Sequence, residues 1–388
     1  MDALGWAHRA ADRRLNRLEA AACLALFVTG VYATSFGPAL PILAADFGVS
    51  LDRAGLLLST LFFGSIIAST AMATSLHRFD QRALAAAGLA AVGVGCLALG
   101  FAEAFAVGVA SVVLIGAGDG LLVAAVHTLV SQVSRDVAKG INRINLYFAV
   151  GAIVGPLWTG AVLAAGADQR ALVYAGIAAL AFAGGLFTIL SPKPPASRME
   201  DHADRRLSRL TVVMGLVLFL YVGAEFGLGS WVATYSDREF DAGIFAGAVV
   251  TAGYWGALMV GRIVSGWLFG RGVSARRVLL GSIALGMVTS AGIAAANQSF
   301  GLAVAAAFAT GLAFGPIWPA AMAIAAGSGR GNAPAAMVTI GNSGGLVFPW
   351  VQGHILVSAG AATGIAMSAV LCAGMLTVAW LAPRSRVE

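Results

Sequence analysis

The chain has 388 residues, 59% of them hydrophobic and only 11% charged, with a formal net charge of +6. An ordinary soluble domain carries roughly 25% charged residues, so a soluble protein of this composition has too little polar surface to cover itself, and lipid is the solvent expected for much of it. The only lysines, Lys139 and Lys193, follow no phosphate-loop pattern, and there is no HExxH, no spaced Cys/His set and no potassium-filter sequence, which argues against a Walker-type pump, a zinc enzyme and a filter-type channel.

Residues 1–19 form a basic arm with Arg9, Arg13, Arg14 and Arg17. The arm is too polar for the core of a cleavable signal and reads as an amphipathic segment on the inner membrane surface. Apolar stretches of about 20 residues mark transmembrane helices. Twelve follow, at 20–44, 54–76, 83–101, 105–132, 143–165, 170–190, 210–235, 244–269, 276–296, 299–326, 333–358 and 361–382. The Pro- and charge-rich segment 191–208 divides them into two bundles, 20–190 and 209–382, and 383–388 is a short tail. With the N-terminus inside, 21 of the 24 basic residues fall on the inner side, leaving Arg53, Arg170 and Arg238 outside. That bias places both termini in the cytoplasm. The arginines are dispersed among loops and no recognition module is present, so no nucleic-acid partner is expected. Cys23, Cys96 and Cys372 sit inside apolar runs and read as packing residues, without a disulfide or a metal. No cofactor is expected.

The two halves repeat at a single offset of 193 residues. Arg78 falls on Arg271, Gly118 on Gly311 and Gly30 on Gly223. GAIVGPLWTG from Gly151 falls on GGLVFPWVQG from Gly344, which sets Pro156 on Pro349 and Gly160 on Gly353. Each half is too long for a solenoid unit. Two membrane bundles related as parallel repeats are the organisation of secondary transporters.

A carboxylate in mid-span costs a few kcal/mol unless it is paired, protonated or facing water. Two positions meet that description. Asp119 lies in GAGDG near the middle of the fourth span, and Glu225 near the middle of the seventh, with about fifteen residues on either side before polar sequence. Both read as proton-responsive acids. Tyr221 precedes Glu225 by one turn and shares its face. His127 lies about 80° round the helix from Asp119, and histidine titrates near neutrality. Tyr221 and His127 are candidate solute contacts, together with Tyr32 at the repeat equivalent of Glu225, Trp318, and Asn342 and Gln352 in the eleventh span. Pro316 and Pro319 bracket Trp318 and are expected to break or bend the tenth span. Trp231 and His354 are placed towards the outer interface. Arg262, near the inner end of the eighth span, snorkels or pairs across a gate in this reading.

Several stretches together resemble the major facilitator superfamily over nearly the whole chain. ATSLHRFDQR, Ala73 to Arg82, stands for the family's G-x-x-x-D-R-x-G-R-R loop between the second and third spans. Arg78 and Arg82 match its basic positions, while His77 replaces the usual Asp and Asp80 the usual Gly. The second-half copy GWLFGR, Gly266 to Arg271, has Gly270 for the acid. GPLWTG from Gly155 resembles the fifth-span Gly-Pro motif common in antiporters. YVGAEFGLGSWVATY from Tyr221, GAGDG from Gly116 and GRIVSGWL from Gly261 are similar to the fucose-permease-like sugar–proton symporters. Those symporters place an acid and an Asn further along the fourth helix, where this chain has Val123 and His127. The resemblance implies an all-α fold of two pseudo-symmetric six-helix bundles, with helices 1, 4, 7 and 10 around a central cavity. It also implies alternating access and a cytoplasmic gate in which Arg78, Arg82, Arg262 and Arg271 bridge helix ends.

The function expected is proton-coupled secondary transport of a small polar or amphipathic solute, sugar-like in one version, with Glu225 and Asp119 carrying protons. Proton-driven efflux of a drug or metabolite is the alternative, and a non-transporting membrane enzyme or sensor the remote one. No catalysis is expected. The expected partners are the solute, protons and the lipid bilayer, for a monomer in a bacterial inner membrane.

Overall fold

In the computed structural model, described residues are 3–72, 78–134, 136–166, 169–194, 208–296, 299–326 and 333–382, with the side chains of 3–14, 138 and 333–335 left aside. His77, Arg135, Arg330, most of the 191–208 linker, the 383–388 tail and the side chains of Arg9, Arg13 and Arg14 lie outside the described residues. All regular structure among the described residues is helical: α1 (Ala3–Asp46), α2 (Leu51–Ala54), α3 (Leu56–Met72), α4 (Gln81–Gly100), α5 (Phe105–Val133), α6 (Val137–Ala164), α7 (Arg170–Ile189), α8 (Arg209–Phe240), α9 (Gly243–Gly270), α10 (Ala275–Ala294), α11 (Phe300–Phe314), α12 (Ile317–Ala326), α13 (Ala333–Ser358) and α14 (Ala361–Trp380).

Among the described residues, eleven helices are long and apolar enough to cross a membrane. In that set α2 and α3 form one span, Leu51–Met72, and α11 and α12 another, Phe300–Ala326. The remaining expected span is α13, whose 26 residues run about 39 Å at 1.5 Å per residue. Asn342, Ser343, Gln352 and His354 lower its apolarity. The basic arm and the first span run as one helix, α1, which passes through Pro38 and Pro41 without ending. The tenth span breaks where its prolines require: α11 stops at Phe314 and α12 restarts at Ile317, with Pro316 between them. Proline has no N–H to continue the ladder, and its ring clashes with the preceding turn.

Helix starts follow side-chain caps. Ser208 accepts from the Thr211 N–H at 2.9 Å and Asp80 from the Arg82 N–H at 3.0 Å, each satisfying an orphan donor of the first turn. α8 ends on Asp241 in the left-handed region, φ 51°.

The helices gather into two compact units. The first comprises Met1–Ala33, Phe63–Gly155 and Asp168–Glu200; the second comprises Thr34–Phe62, Pro156–Ala167 and Asp201–Glu388. The division therefore runs through α1, α3 and α6. In the first unit α4 packs against α5 and α7. In the second, α8 packs on α13, α14 and α9, while α10 packs on α14 and α11.

The 193-residue repeat is visible as one crossing made twice. In the first unit, a Cβ at Gly30 would collide with the Phe148 carbonyl, and one at Gly151 with the Phe27 carbonyl, so α1 and α6 touch backbone to backbone. In the second unit the repeat partner of Gly151, Gly344, lies on the Phe219 carbonyl, and that of Gly30, Gly223, on the Phe348 ring. Only glycine permits approaches this close, and such contacts hold membrane helices together where lipid offers no hydrophobic drive.

Candidate functional site

Among the described residues, each compact unit holds a mid-span carboxyl with a tyrosine against it. In the first unit, α5 carries Asp119 between Gly118 and Gly120. A Cβ at Gly120 would strike the Ser65 carbonyl of α3, and that close approach brings the Ser65 hydroxyl to Asp119. Tyr32 of α1 donates its hydroxyl to Oδ1 of Asp119, and Ser65 donates to Oδ2 at 3.0 Å. Tyr32 is buried at 1% exposure. Both donors are hydroxyls, and among the described residues no salt bridge reaches Asp119.

The second unit presents a different environment. Glu225, 8% exposed, accepts the Tyr221 hydroxyl at Oε1 over 2.6 Å, as their one-turn spacing on α8 allows. The same oxygen receives Nη2 of Arg262 from α9 at 3.2 Å, a salt bridge through one guanidinium nitrogen. Tyr254, also on α9, donates to the Glu225 backbone carbonyl at 3.0 Å. That carbonyl belongs to α8, so the bond fixes α9 to the turn that bears the acid. The Tyr221 ring meets Phe314 at 6.1 Å and Trp318 at 6.3 Å between centroids. The break in the tenth span thus sets Trp318 beside the tyrosine that holds Glu225.

The remaining sequence candidates divide. Tyr32, Tyr221 and Trp318 join the two clusters. Arg262 is the counter-ion of Glu225. His127 is half-buried and its Nδ1 lies 2.8 Å from the Val123 carbonyl of its own helix, so the structure does not tie it to Asp119. Asn342 is half-buried on α13, and no described contact joins it to either carboxyl. Gln352 is fully buried, bonds Ser368 of α14 at 3.4 Å and lies against Gly227 of α8. Trp231 is likewise removed from the interface: it is 0% exposed and donates Nε1 to the Pro349 carbonyl at 2.7 Å. His354 is exposed and bonds Asp52 at 3.3 Å.

The other arginines expected at a gate make the following contacts. Arg82 binds Asp80 at 3.1 Å and donates to the Ser191 carbonyl at 2.6 Å, joining the start of α4 to the end of α7. Arg78 is exposed, and Arg271 stacks 3.7 Å over the Trp267 ring. Ser65 and Tyr254 escaped the sequence reading altogether. A serine one residue after Gly64 in an apolar span carries no periodic signal, and Tyr254 shows its role only through the α8–α9 crossing. Among the described residues no group of His, Cys, Asp and Glu is arranged to hold a metal ion, and the three cysteines are free and buried.

Residues 22–272 match the family model described as Major Facilitator Superfamily. None of the curated protein sequences compared is a significant match. Solved transporter structures share the fold over nearly the whole chain. A bacterial homologue of the human lysosomal transporter Spinster, inward-facing and unoccupied, is 13% identical with a TM-score of 0.76, covering 97% of this chain and 98% of its own. The nucleoside transporter NupG is 13% identical with a TM-score of 0.71, covering 95% and 97%. The transporter FucP in its outward conformation is 19% identical with a TM-score of 0.66, covering 94% and 98%. The family match spans more than half of the sequence, and the chain belongs to the major facilitator superfamily of membrane transporters.

Proposed function

We propose that this protein is a proton-coupled secondary transporter of a small polar or amphipathic solute, working by alternating access, with Asp119 and Glu225 as the groups that gain and release the proton. The observation that carries the reading is the pair of intramembrane carboxyls, each held by a tyrosine hydroxyl. Ionisable groups at this depth are expensive and mark ion or proton pathways. A hydroxyl serves either state of a carboxyl, because it donates to the ionised form and accepts from the protonated one. FucP of E. coli is a fucose:proton symporter and NupG a nucleoside transporter, which supports a polar solute. The same proposal assigns 20–190 and 209–382 to two bundles joined by a cytoplasmic 191–208 linker. The bias of basic residues supports cytoplasmic termini in a bacterial inner membrane.

The test is proton movement in proteoliposomes that enclose a pH-sensitive dye. The solute is the strongest thermal-shift ligand from a panel of sugars, carboxylates and cationic dyes, since a ligand stabilises the state it binds. Adding that solute outside should move protons across the membrane with it. Solute flux without any proton movement would remove the coupling.

A further inference from the structure

The two carboxyls are not equivalent, because only Glu225 has a described cationic partner. The geometry of that pair is unsaturated. One nitrogen of the guanidinium reaches one oxygen of the carboxylate, where a forked arginine–carboxylate pair would use two of each. Oε1 is already shared with Tyr221. The Arg262 side chain keeps 27% exposure while that of Glu225 keeps 10%. The Arg262 side chain is thus the more exposed of the two, although its Nε is buried without a hydrogen-bond partner among the described residues and it lies within a membrane span, Gly243–Gly270.

Charge balance then limits what the cluster can accept. Arg262 and Glu225 together are neutral. An anion added to the intact pair leaves one net negative charge in a poorly solvated place, which is costly. A proton on Glu225 leaves the guanidinium uncompensated instead, and a single negative charge restores neutrality. We infer that Arg262 is the anchor for a monocarboxylate solute, which replaces Glu225 against the guanidinium when Glu225 takes up a proton. This inference rests on the proton-coupled reading above. The proton ends on a carboxylate oxygen of Glu225, the solute carboxylate accepts the guanidinium N–H groups, and the cluster has zero net charge before and after. One proton and one monoanion move as a neutral unit. A dianion such as sulfate would break the balance. The rings of Phe314 and Trp318 beside Tyr221 suit an apolar or aryl body on the carboxylate better than a bare inorganic ion.

Among the described residues, the titratable and charged groups facing Glu225 are few. Tyr221 lies on its own helix, and Arg262 and Tyr254 come from α9. Cys372 of α14 is within electrostatic reach of Tyr254. The broken tenth span contributes Phe314 and Trp318, which do not titrate. The pH dependence of anion binding therefore belongs to Glu225.

The experiment is calorimetric binding of benzoate, benzamide and inorganic sulfate to the purified full-length protein at about pH 4.5 and about pH 8, since an ordinary glutamate, with a pKa of about 4.3, is substantially protonated only at the lower value. Benzoate should bind at least about tenfold more tightly at the lower pH, because apparent affinity scales with the competent fraction. Benzamide and sulfate should not bind measurably. Glu225→Gln should bind benzoate equally at both values. Arg262→Gln should lose about tenfold or more, with Arg262→Lys in between. If Arg262→Gln does not fold, the doubly neutral Glu225→Gln/Arg262→Gln protein keeps the test open and should bind no benzoate. Equal affinity for benzamide and benzoate, or unchanged benzoate binding without Arg262, overturns the inference. Binding is read here without a gradient, so either of those results, with proton movement intact in proteoliposomes, overturns the anion anchor and leaves proton coupling standing.

Discussion

Neutralising one member of the Glu225–Arg262 pair should harm the protein more than neutralising both. Removing one partner of a fully buried pair costs about 3–5 kcal/mol, whereas an exposed pair is worth about 0–1 kcal/mol. With side chains 10% and 27% exposed and one contact of 3.2 Å, this pair lies between those limits. Arg262→Gln strands the more buried charge, leaving Oε1 only the Tyr221 hydroxyl, and should destabilise by about 2–3 kcal/mol. Glu225→Gln strands the guanidinium of the more exposed side chain and keeps an acceptor for Tyr221, so about 1–2 kcal/mol is expected. The double variant has no stranded charge and should be destabilised by no more than about 1 kcal/mol, giving a coupling of about 2–5 kcal/mol. The three free, buried cysteines make a thiol-reactive fluorophore a direct reporter of opening during heating in detergent. Rates at a fixed temperature should be compared as well as midpoints, because unfolding in detergent is often irreversible. A double variant as unstable as the two singles added together would refute the reasoning.

Asp119 is tested in two ways. Asp119→Asn should flatten the pH profile of transport, and a profile identical to the parent's would remove it from proton handling. A cysteine at 119 in a cysteine-free background should react with small aqueous thiol reagents and be protected by solute, while one at 121, about 160° round the helix, should not; equal reactivity at both would contradict a water-facing Asp119. Gly344→Ala places a methyl on the Phe219 carbonyl and should cost about 1–3 kcal/mol or more through overpacking, seen as lost monodisperse yield. Gly266→Ala, with open space round the new methyl, should be neutral or stabilise by up to about 1 kcal/mol; matching losses at both sites would contradict the crossing. Reporter fusions within 191–208 should read cytoplasmic and fusions at Asp241, between α8 and α9, external, and the opposite labelling would break the proposed topology.

The spans were legible because lipid leaves a coarse signal: about twenty apolar residues, whatever their order. The break at Pro316 was legible because proline acts on its own backbone. The Tyr221–Glu225 contact followed from one-turn spacing on a single helix. What failed needed two helices. Arg262 looks like a basic residue near a span end, and only the packing of α9 on α8 turns it towards Glu225. Trp231 suits a membrane interface by type, yet the close contact at Gly353 buries its indole against α13. Gln352 is a polar residue in a span, which sequence cannot divide between solute contact and helix contact. In the structure it is buried and bonds Ser368 of α14.

The most direct measurement of the central claim compares accumulation with exchange in proteoliposomes bearing Glu225→Gln. A neutral amide cannot cycle between charge states. Gradient-driven accumulation should disappear while exchange of labelled for unlabelled solute continues at near the parental rate. A well-folded Glu225→Gln protein that still concentrates its solute down a proton gradient would contradict the assignment of proton coupling to Glu225.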